Sequence, residues 1–209
     1  VYKVSGCNDI NNKTFNCPTE GNIPLLIEGD YFDILAEQST QPEFAVGTYY
    51  STHINIINRT HINATLPAGS GIDLTLYLYF NMEFLASSMI SYKSPQVFGV
   101  SGCHNIDETT TNCPNYDNFT IHIFGTNFGP EDSTVLVGSQ FCKDVIHYSH
   151  GNISCILDGS RGKNKPIFVI QYQGDISEGV NLLSYEECIE GYEFVNDDCI
   201  KCSPGYFKD

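Results

Sequence analysis

The chain of 209 residues has no tryptophan, two methionines, ten basic side chains against 25 acidic ones, and no apolar run longer than a few residues. Each scarcity excludes something. A formal net charge of −15 leaves no dense basic face with which to grip a phosphate backbone, so nucleic acid is excluded as a partner. A helix that crosses a bilayer needs about 20 consecutive apolar residues, and none is present, so no membrane span is expected within the chain. Lack of tryptophan reduces any sugar-stacking platform to tyrosines. There is no nucleophile elbow: Gly69-Ser-Gly71 reads as a turn. Gly159-Ser-Arg-Gly-Lys163 lacks the first glycine spacing and the Ser/Thr after lysine that a phosphate loop requires. No catalytic residue and no cofactor is expected. An apolar content of 41% is low for a globular chain but far above that of disordered ones. The sequence starts at Val1 rather than Met, with no signal-peptide core ahead of it, and is expected to be a mature product or an excerpt.

Nine cysteines are present, an odd number. Zinc sites bring paired C-x2-C knuckles, but Cys199-Ile-Lys-Cys202 is the single such unit and nothing answers it. The remaining separations suit loop-closing disulfides. Five N-x-[ST] acceptors accompany them, at Asn12, Asn58, Asn63, Asn118 and Asn152. Together these features indicate an extracellular or cell-surface glycoprotein of the secretory pathway that carries N-linked glycans.

An internal repeat sets the domain plan. Val1-Tyr-Lys-Val-Ser-Gly-Cys7 recurs as Val97-Phe-Gly-Val-Ser-Gly-Cys103, Thr14-Phe-Asn-Cys-Pro18 as Thr110-Thr-Asn-Cys-Pro114, and Ile27-Glu-Gly-Asp-Tyr-Phe32 as Ile123-Phe-Gly-Thr-Asn-Phe128. Further on, Val46-Gly47 matches Val137-Gly138 and Ser91-Tyr92 matches Ser184-Tyr185. The copies cover 1–93 and 94–187, leaving 188–209 as a separate segment. Short β-rich runs such as Val135-Leu-Val137 lie between Gly, Asn, Asp and Pro clusters. Ile72, Leu74, Leu76 and Leu78 alternate onto one face, and no stretch keeps a helical period. The expected fold is all-β: two tandem immunoglobulin-like β-sandwiches plus a short disulfide-rich C-terminal segment. Cys7–Cys17 and Cys103–Cys113 hold equivalent places and are expected to pair. Cys142 and Cys155 align with Ser51 and Ala64, so both members are missing from the first copy together, as the loss of one bond requires.

The motifs Val-Ser-Gly-Cys, Asn-Cys-Pro, Ile-x-Gly-x-x-Phe, Val-Gly and Ile153-Ser-Cys155 resemble the IPT/TIG module, an E-set immunoglobulin-like fold. The second copy is the better match, through Phe124-Gly-Thr-Asn-Phe-Gly129. The resemblance implies ectodomain stalks, as in plexins and growth-factor receptor kinases, or cell-cell recognition, as in amoebozoan tiger-type adhesion proteins. Transcription factors that use the fold need a basic surface, whereas acidic residues outnumber basic ones in both copies and in the tail. The segment from Cys188-Ile-Glu-Gly-Tyr192 to Pro204-Gly-Tyr206 resembles the start of an EGF-like or ephrin-receptor-like cysteine-rich module. That resemblance implies a Cys188–Cys199 bond and leaves Cys202 to pair outside the segment or with another chain. A redox role for 199–202 would need a helix N-terminus, which Pro204-Gly205 does not offer.

His147 and His150 have metal-like spacing with Asp144 nearby but no third ligand, and no acidic loop has the calcium ligand order, so no metal site is expected. Arg161, Lys163 and Lys165 form the one basic cluster, read either as a solvated loop tip or as a contact for an acidic stretch, 186–198, of a neighbouring copy. Alternation in Ile62-Asn-Ala-Thr-Leu66 turns Asn63 to water, so a glycan there covers one sheet face. A partner site then lies away from Asn58 and Asn63, on the 33–44 insertion or at Tyr49 and Tyr50. The expected function is non-catalytic adhesion or recognition, with a cell-surface protein or other copies of the chain as partners. The rival is a subunit of a glycosylated extracellular filament, a homo-polymer joined through the tail or Cys202.

Overall fold

The computed structural model describes residues 1–11, 13–33, 42–51, 53–80, 83–188, 191–195 and 198–203. They form two compact units, and the described structure is almost wholly β. Unit 1 comprises Val1–Ser94 with Asn127–Pro130 and Gln171–Asp175, and unit 2 comprises Pro95–Thr126, Glu131–Ile170 and Ile176–Asp209.

Unit 1 has two sheets. The first runs β1 (Lys3–Ser5), β4 (Pro24–Glu28), β8 (His61–Thr65), β7 (Ile54–Asn58), all antiparallel. The second runs β2 (Asn8–Ile10), β3 (Lys13–Cys17), β10 (Glu83–Tyr92), β9 (Leu74–Phe80), β5 (Glu43–Val46), β6 (Tyr49–Ser51), with a parallel pair at β3–β10. Leu25, Ile27, Ile62 and Ala64 from the first sheet meet Phe44, Val46, Leu76, Leu78 and Ile90 from the second in one core. The alternation that marks Leu74, Leu76 and Leu78 as inward holds, but Ile72 is 51% exposed. It lies in the bend ahead of β9, where the period of two does not yet apply.

Unit 2 repeats the plan strand for strand. Its four-stranded sheet runs β11 (Gln96–Ser101), β14 (Phe119–Thr126), β18 (Asn152–Leu157), β17 (Lys143–Ser149). Its six-stranded sheet runs β12 (His104–Ile106), β13 (Thr109–Cys113), β20 (Val180–Tyr185), β19 (Lys165–Ile170), β15 (Thr134–Val137), β16 (Gln140–Phe141). The parallel pair recurs at β13–β20. A hairpin of β21 (Tyr192–Val195) and β22 (Asp198–Lys201) follows.

The repeated motifs have local causes. Gly6 and Gly102 have φ of +147° and +152°, and a Cβ there would stand 2.6 Å from the Pro24 carbonyl oxygen and 2.5 Å from that of Thr120. No other residue tolerates that approach, which explains Gly in both Val-Ser-Gly-Cys units. The next amide N–H donates to a buried threonine hydroxyl in each copy, Cys7 to Thr14 and Cys103 to Thr110, both at 3.0 Å. Asn16 and Asn112 take left-handed φ of 55° and 52°, which asparagine adopts more readily than most residues and which accounts for Asn-Cys-Pro. Bonds join Cys7 to Cys17, Cys103 to Cys113 and Cys142 to Cys155. In register, Leu25 opposes Ala64 just as Ile121 opposes Cys155, so alanine fills the place of the missing cysteine.

Candidate functional site

The two faces of unit 1 differ in chemistry. Asn58 and Asn63 stand exposed on the four-stranded sheet, on β7 and β8. Inward Ile62 and Ala64 on β8 force Asn63 outward, opposite Asn55 and Leu26. Asn58 closes a turn, its Oδ1 accepting from the Thr60 amide at 2.9 Å and the Thr60 hydroxyl at 3.0 Å.

The six-stranded sheet carries the tyrosines. Inward Leu76 and Leu78 leave Tyr77 and Tyr79 on its outer face, where their rings stack at 5.7 Å with planes 25° apart. In register, Tyr50 on β6 opposes Ala45 on β5, and Ala45 opposes Tyr77 on β9. Ala45 is only 1% exposed although it faces outward between two tyrosines, while Tyr50 is 71% exposed. Glu43 opposes Tyr79 and supplies a carboxylate at the margin. The result is a ridge of aromatic rings on the side of the sandwich opposite Asn58 and Asn63.

Tyr49 is not part of it. Its ring meets buried Tyr92 edge-on at 6.2 Å, and its hydroxyl lies 3.1 Å from Ser70 Oγ. Tyr92 donates to the Pro67 carbonyl at 2.9 Å, and burial raises its pKa far above the ordinary tyrosine value. Its counterpart Tyr185 is pushed up to about 12, chiefly by burial. Both hydroxyls are structural. Tyr2, at the surface, is raised by its hydrogen bond to Asp30.

The basic cluster is engaged within unit 2. Arg161 donates to the Tyr116 hydroxyl at 2.9 Å and lies over its ring at 5.4 Å, and Lys163 pairs with Glu187. Glu187 belongs to the acidic stretch considered as a trans partner, so here Lys163 meets it in cis. Lys165 starts β19 half-buried. His147 Nε2 accepts from the Ser133 amide at 3.2 Å, a structural bond. Among the described residues no group of three or more His, Cys, Asp and Glu could hold a metal ion, and no helix is long and apolar enough to cross a membrane.

Of the other predicted residues, Asn118 is exposed ahead of β14, and Asn152 opens β18 half-buried. Asn12, most of the 33–44 insertion and the Cys199 side chain lie outside the described residues. Cys188 is disulfide-bonded, and Cys202 is half-exposed and, among the described residues, free. Tyr77 and Tyr79 were missed from sequence although the leucine alternation that buries Leu76 and Leu78 also turns them out.

Residues 105–185 match the family model of the IPT/TIG domain. Unit 2 therefore contains an IPT/TIG domain. Its strand order is the one unit 1 repeats. No curated protein matches the chain. Among solved structures it is similar to the extracellular region of plexin A4, at 17% identity and TM-score 0.40 over 83% of this chain and 17% of that one. It is also similar to a surface glycan-binding protein from Prevotella bryantii, at 13% identity and TM-score 0.49 over 93% of this chain and 43% of that one. Tandem immunoglobulin domains of titin match at 8% identity and TM-score 0.34, over 88% and 97% of the two chains. Likeness at this level says nothing about function, and the chain spans less than half of the plexin and glycan-binding chains.

Proposed function

We propose that the chain is a non-catalytic segment of an extracellular glycoprotein that recognises a protein partner through the tyrosine face of unit 1. It is built of two IPT/TIG modules, over 1–93 and 94–187, with 188–209 opening a cysteine-rich module. The disulfides Cys7–Cys17, Cys103–Cys113 and Cys142–Cys155 and the five sequons support the extracellular setting. One observation carries the recognition site. The ridge of Tyr50, Tyr77 and Tyr79 lies on the sheet opposite the one that bears Asn58 and Asn63. Glycans at Asn58 and Asn63 then keep that face from contact, whereas Tyr50, Tyr77 and Tyr79 stand on the other sheet. Tyrosine brings a large rigid apolar area with a polar tip at small entropic cost, which is why it recurs at interface centres.

The test uses the secreted chain, made multivalent on fluorescent beads and offered to intact cells of its source. Protease-sensitive binding that falls at least 30-fold in the Tyr50→Ser/Tyr77→Ser variant supports the reading, since even one interface anchor contributes about 2 kcal/mol or more. Binding that survives the double substitution refutes it. The filament reading rests on Cys202, half-exposed and free among the described residues. Sedimentation of the non-reduced chain separates the two: disulfide-linked multimers favour the filament, a monomer that binds cells favours recognition.

A further inference from the structure

In unit 2 the outer face of the four-stranded sheet carries aromatic rings among polar side chains. Inward Ile121, Ile123, Ile153, Cys155 and Leu157 turn the alternate residues outward. Among these are Phe124, 41% exposed, and Tyr148 on β17, 58% exposed. Asn152, a sequon asparagine, sits in their midst. It is in direct cross-strand register with Phe124, so the two Cβ atoms are about 4.5–5.5 Å apart on one face. On the other flank Tyr148 stacks on His122 at 6.3 Å and accepts a hydrogen bond from Ser154 Oγ at 3.2 Å. Asn152 Oδ1 is covered and makes no hydrogen bond among the described residues. A buried acceptor left alone is uncommon and marks a place where a further group belongs.

We infer that this face is covered by the chain's own N-glycan, attached at Asn152, with its first N-acetylglucosamine packed on the Phe124 ring and beside Tyr148. The apolar face of the sugar meets the aromatic ring. Unit 1 gives independent support from the repeat. Its equivalent strand, β8, also presents a sequon asparagine outward, Asn63, opposite the apolar Leu26. The positions differ by two residues, since Asn63 matches Ser154 and His61 matches Asn152, yet the face is the same. Both copies thus shield the same outer sheet with a glycan.

The order of events follows from burial. Ser154, the third residue of the sequon, is 3% exposed and hydrogen-bonded to Tyr148. The transferase needs that hydroxyl, so attachment precedes closure of the β17–β18 hairpin. In the transfer the Asn152 Nδ2 attacks the anomeric carbon of a lipid-diphosphate oligosaccharide. The N–C bond forms as the C–O bond to the diphosphate breaks, the lipid diphosphate leaves, and Nδ2 gives up a proton to a base of the transferase.

This inference rests on the secretory setting proposed above, and the experiment separates the two. The full chain is secreted from eukaryotic cells as wild type, Asn152→Gln, Phe124→Ser and the double variant. Glycopeptide mass spectrometry reads each sequon, calorimetry reads Tm, and NMR looks for contacts between the N-acetyl methyl and the Phe124 ring. Expected are occupancy at Asn152, a methyl-to-ring contact, and a Tm loss of roughly 3–6 °C for Asn152→Gln that shrinks below about 1 °C in the Phe124→Ser background. Glycans at Asn63 and Asn118 with Asn152 bare overturn the inference but not the secretory setting, as does a Tm loss equal in both backgrounds. A chain bare at all five sequons overturns both. Unglycosylated folded chain given to the transferase with its lipid-diphosphate donor should accept at Asn63 and not at Asn152; transfer to folded Asn152 overturns the order of events.

Discussion

Removal of the Cys142–Cys155 bond tests how the two copies, alike in strand order, differ in stability. The bond lies in unit 2, with both cysteines at or near full burial, and joins the lead into β17 to the inner side of β18. It closes a loop of sequence separation 13, for which chain entropy gives about 3 kcal/mol at 25 °C. The Cys142→Ala/Cys155→Ala variant also leaves room where two sulfur atoms stood, which adds about 1 kcal/mol. The expected loss is therefore roughly 4 kcal/mol, or on the order of 15–25 °C in the Tm of a sandwich of this size. Unit 1 already has Ser51 and Ala64 at these places and should be unaffected. Hydrogen exchange read by mass spectrometry resolves the units: protection should fall about a thousandfold in the β14, β17 and β18 peptides and stay unchanged in β4, β7 and β8. A loss below about 1 kcal/mol would mean that strand packing, not the bond, holds this edge. An equal loss in β4 and β8 would refute the assignment of the bond to one unit's stability.

Other expectations concern single residues. Gly102→Ala should cost on the order of 2–3 kcal/mol by urea titration, because the new methyl meets the Thr120 carbonyl oxygen in a backbone conformation alanine resists. Tyr92→Phe should cost about 1–2 kcal/mol in unit 1, since it leaves the Pro67 carbonyl without its donor. Alkali should destabilise both units: unfolded tyrosine ionises near pH 10, whereas Tyr185 holds its proton to about 12 and Tyr92 beyond. Between these values the native state binds more protons, so stability is full below pH 10 and falls as pH rises. Urea midpoints measured from pH 8 to 11.5 should show that decline, and a flat profile in both units would count against burial of the two hydroxyls.

Much of this architecture could be read from the repeat. Equivalent cysteines pointed to the Cys7–Cys17 and Cys103–Cys113 bonds, and a pair lost together pointed to Cys142–Cys155, as the structure has them. Alternation fixed the inward leucines of β9 and the outward Asn63. It failed at Ile72, since a period of two has no meaning before the strand begins. The parallel pairs β3–β10 and β13–β20 left no local mark, as non-local pairing does not alter the residues between. The candidate site was half legible. Tyr50 stood out as a loop aromatic, but Tyr49 beside it turns inward onto Tyr92, and Tyr77 and Tyr79 were hidden among the leucines whose pattern exposes them. The basic residues 161, 163 and 165 looked available in sequence. In the fold Arg161 meets Tyr116, too distant in the chain to foresee, and Lys163 meets Glu187 of the acidic stretch in its own chain rather than a neighbour's.

The central claim is that the tyrosine face of unit 1 recognises a protein while the opposite face is glycan-coated. A single substitution tests it, because Tyr50-Ser-Thr52 becomes a sequon when Tyr50 is changed to asparagine. The measurement is binding of the multivalent chain to intact cells for Tyr50→Asn and Asn63→Gln, each with its glycan state confirmed by mass spectrometry. A glycan raised on the tyrosine face by Tyr50→Asn should abolish binding, and loss of the opposite glycan in Asn63→Gln should leave it unchanged. Binding that persists with a glycan at position 50, or that disappears with Asn63→Gln, would contradict the account.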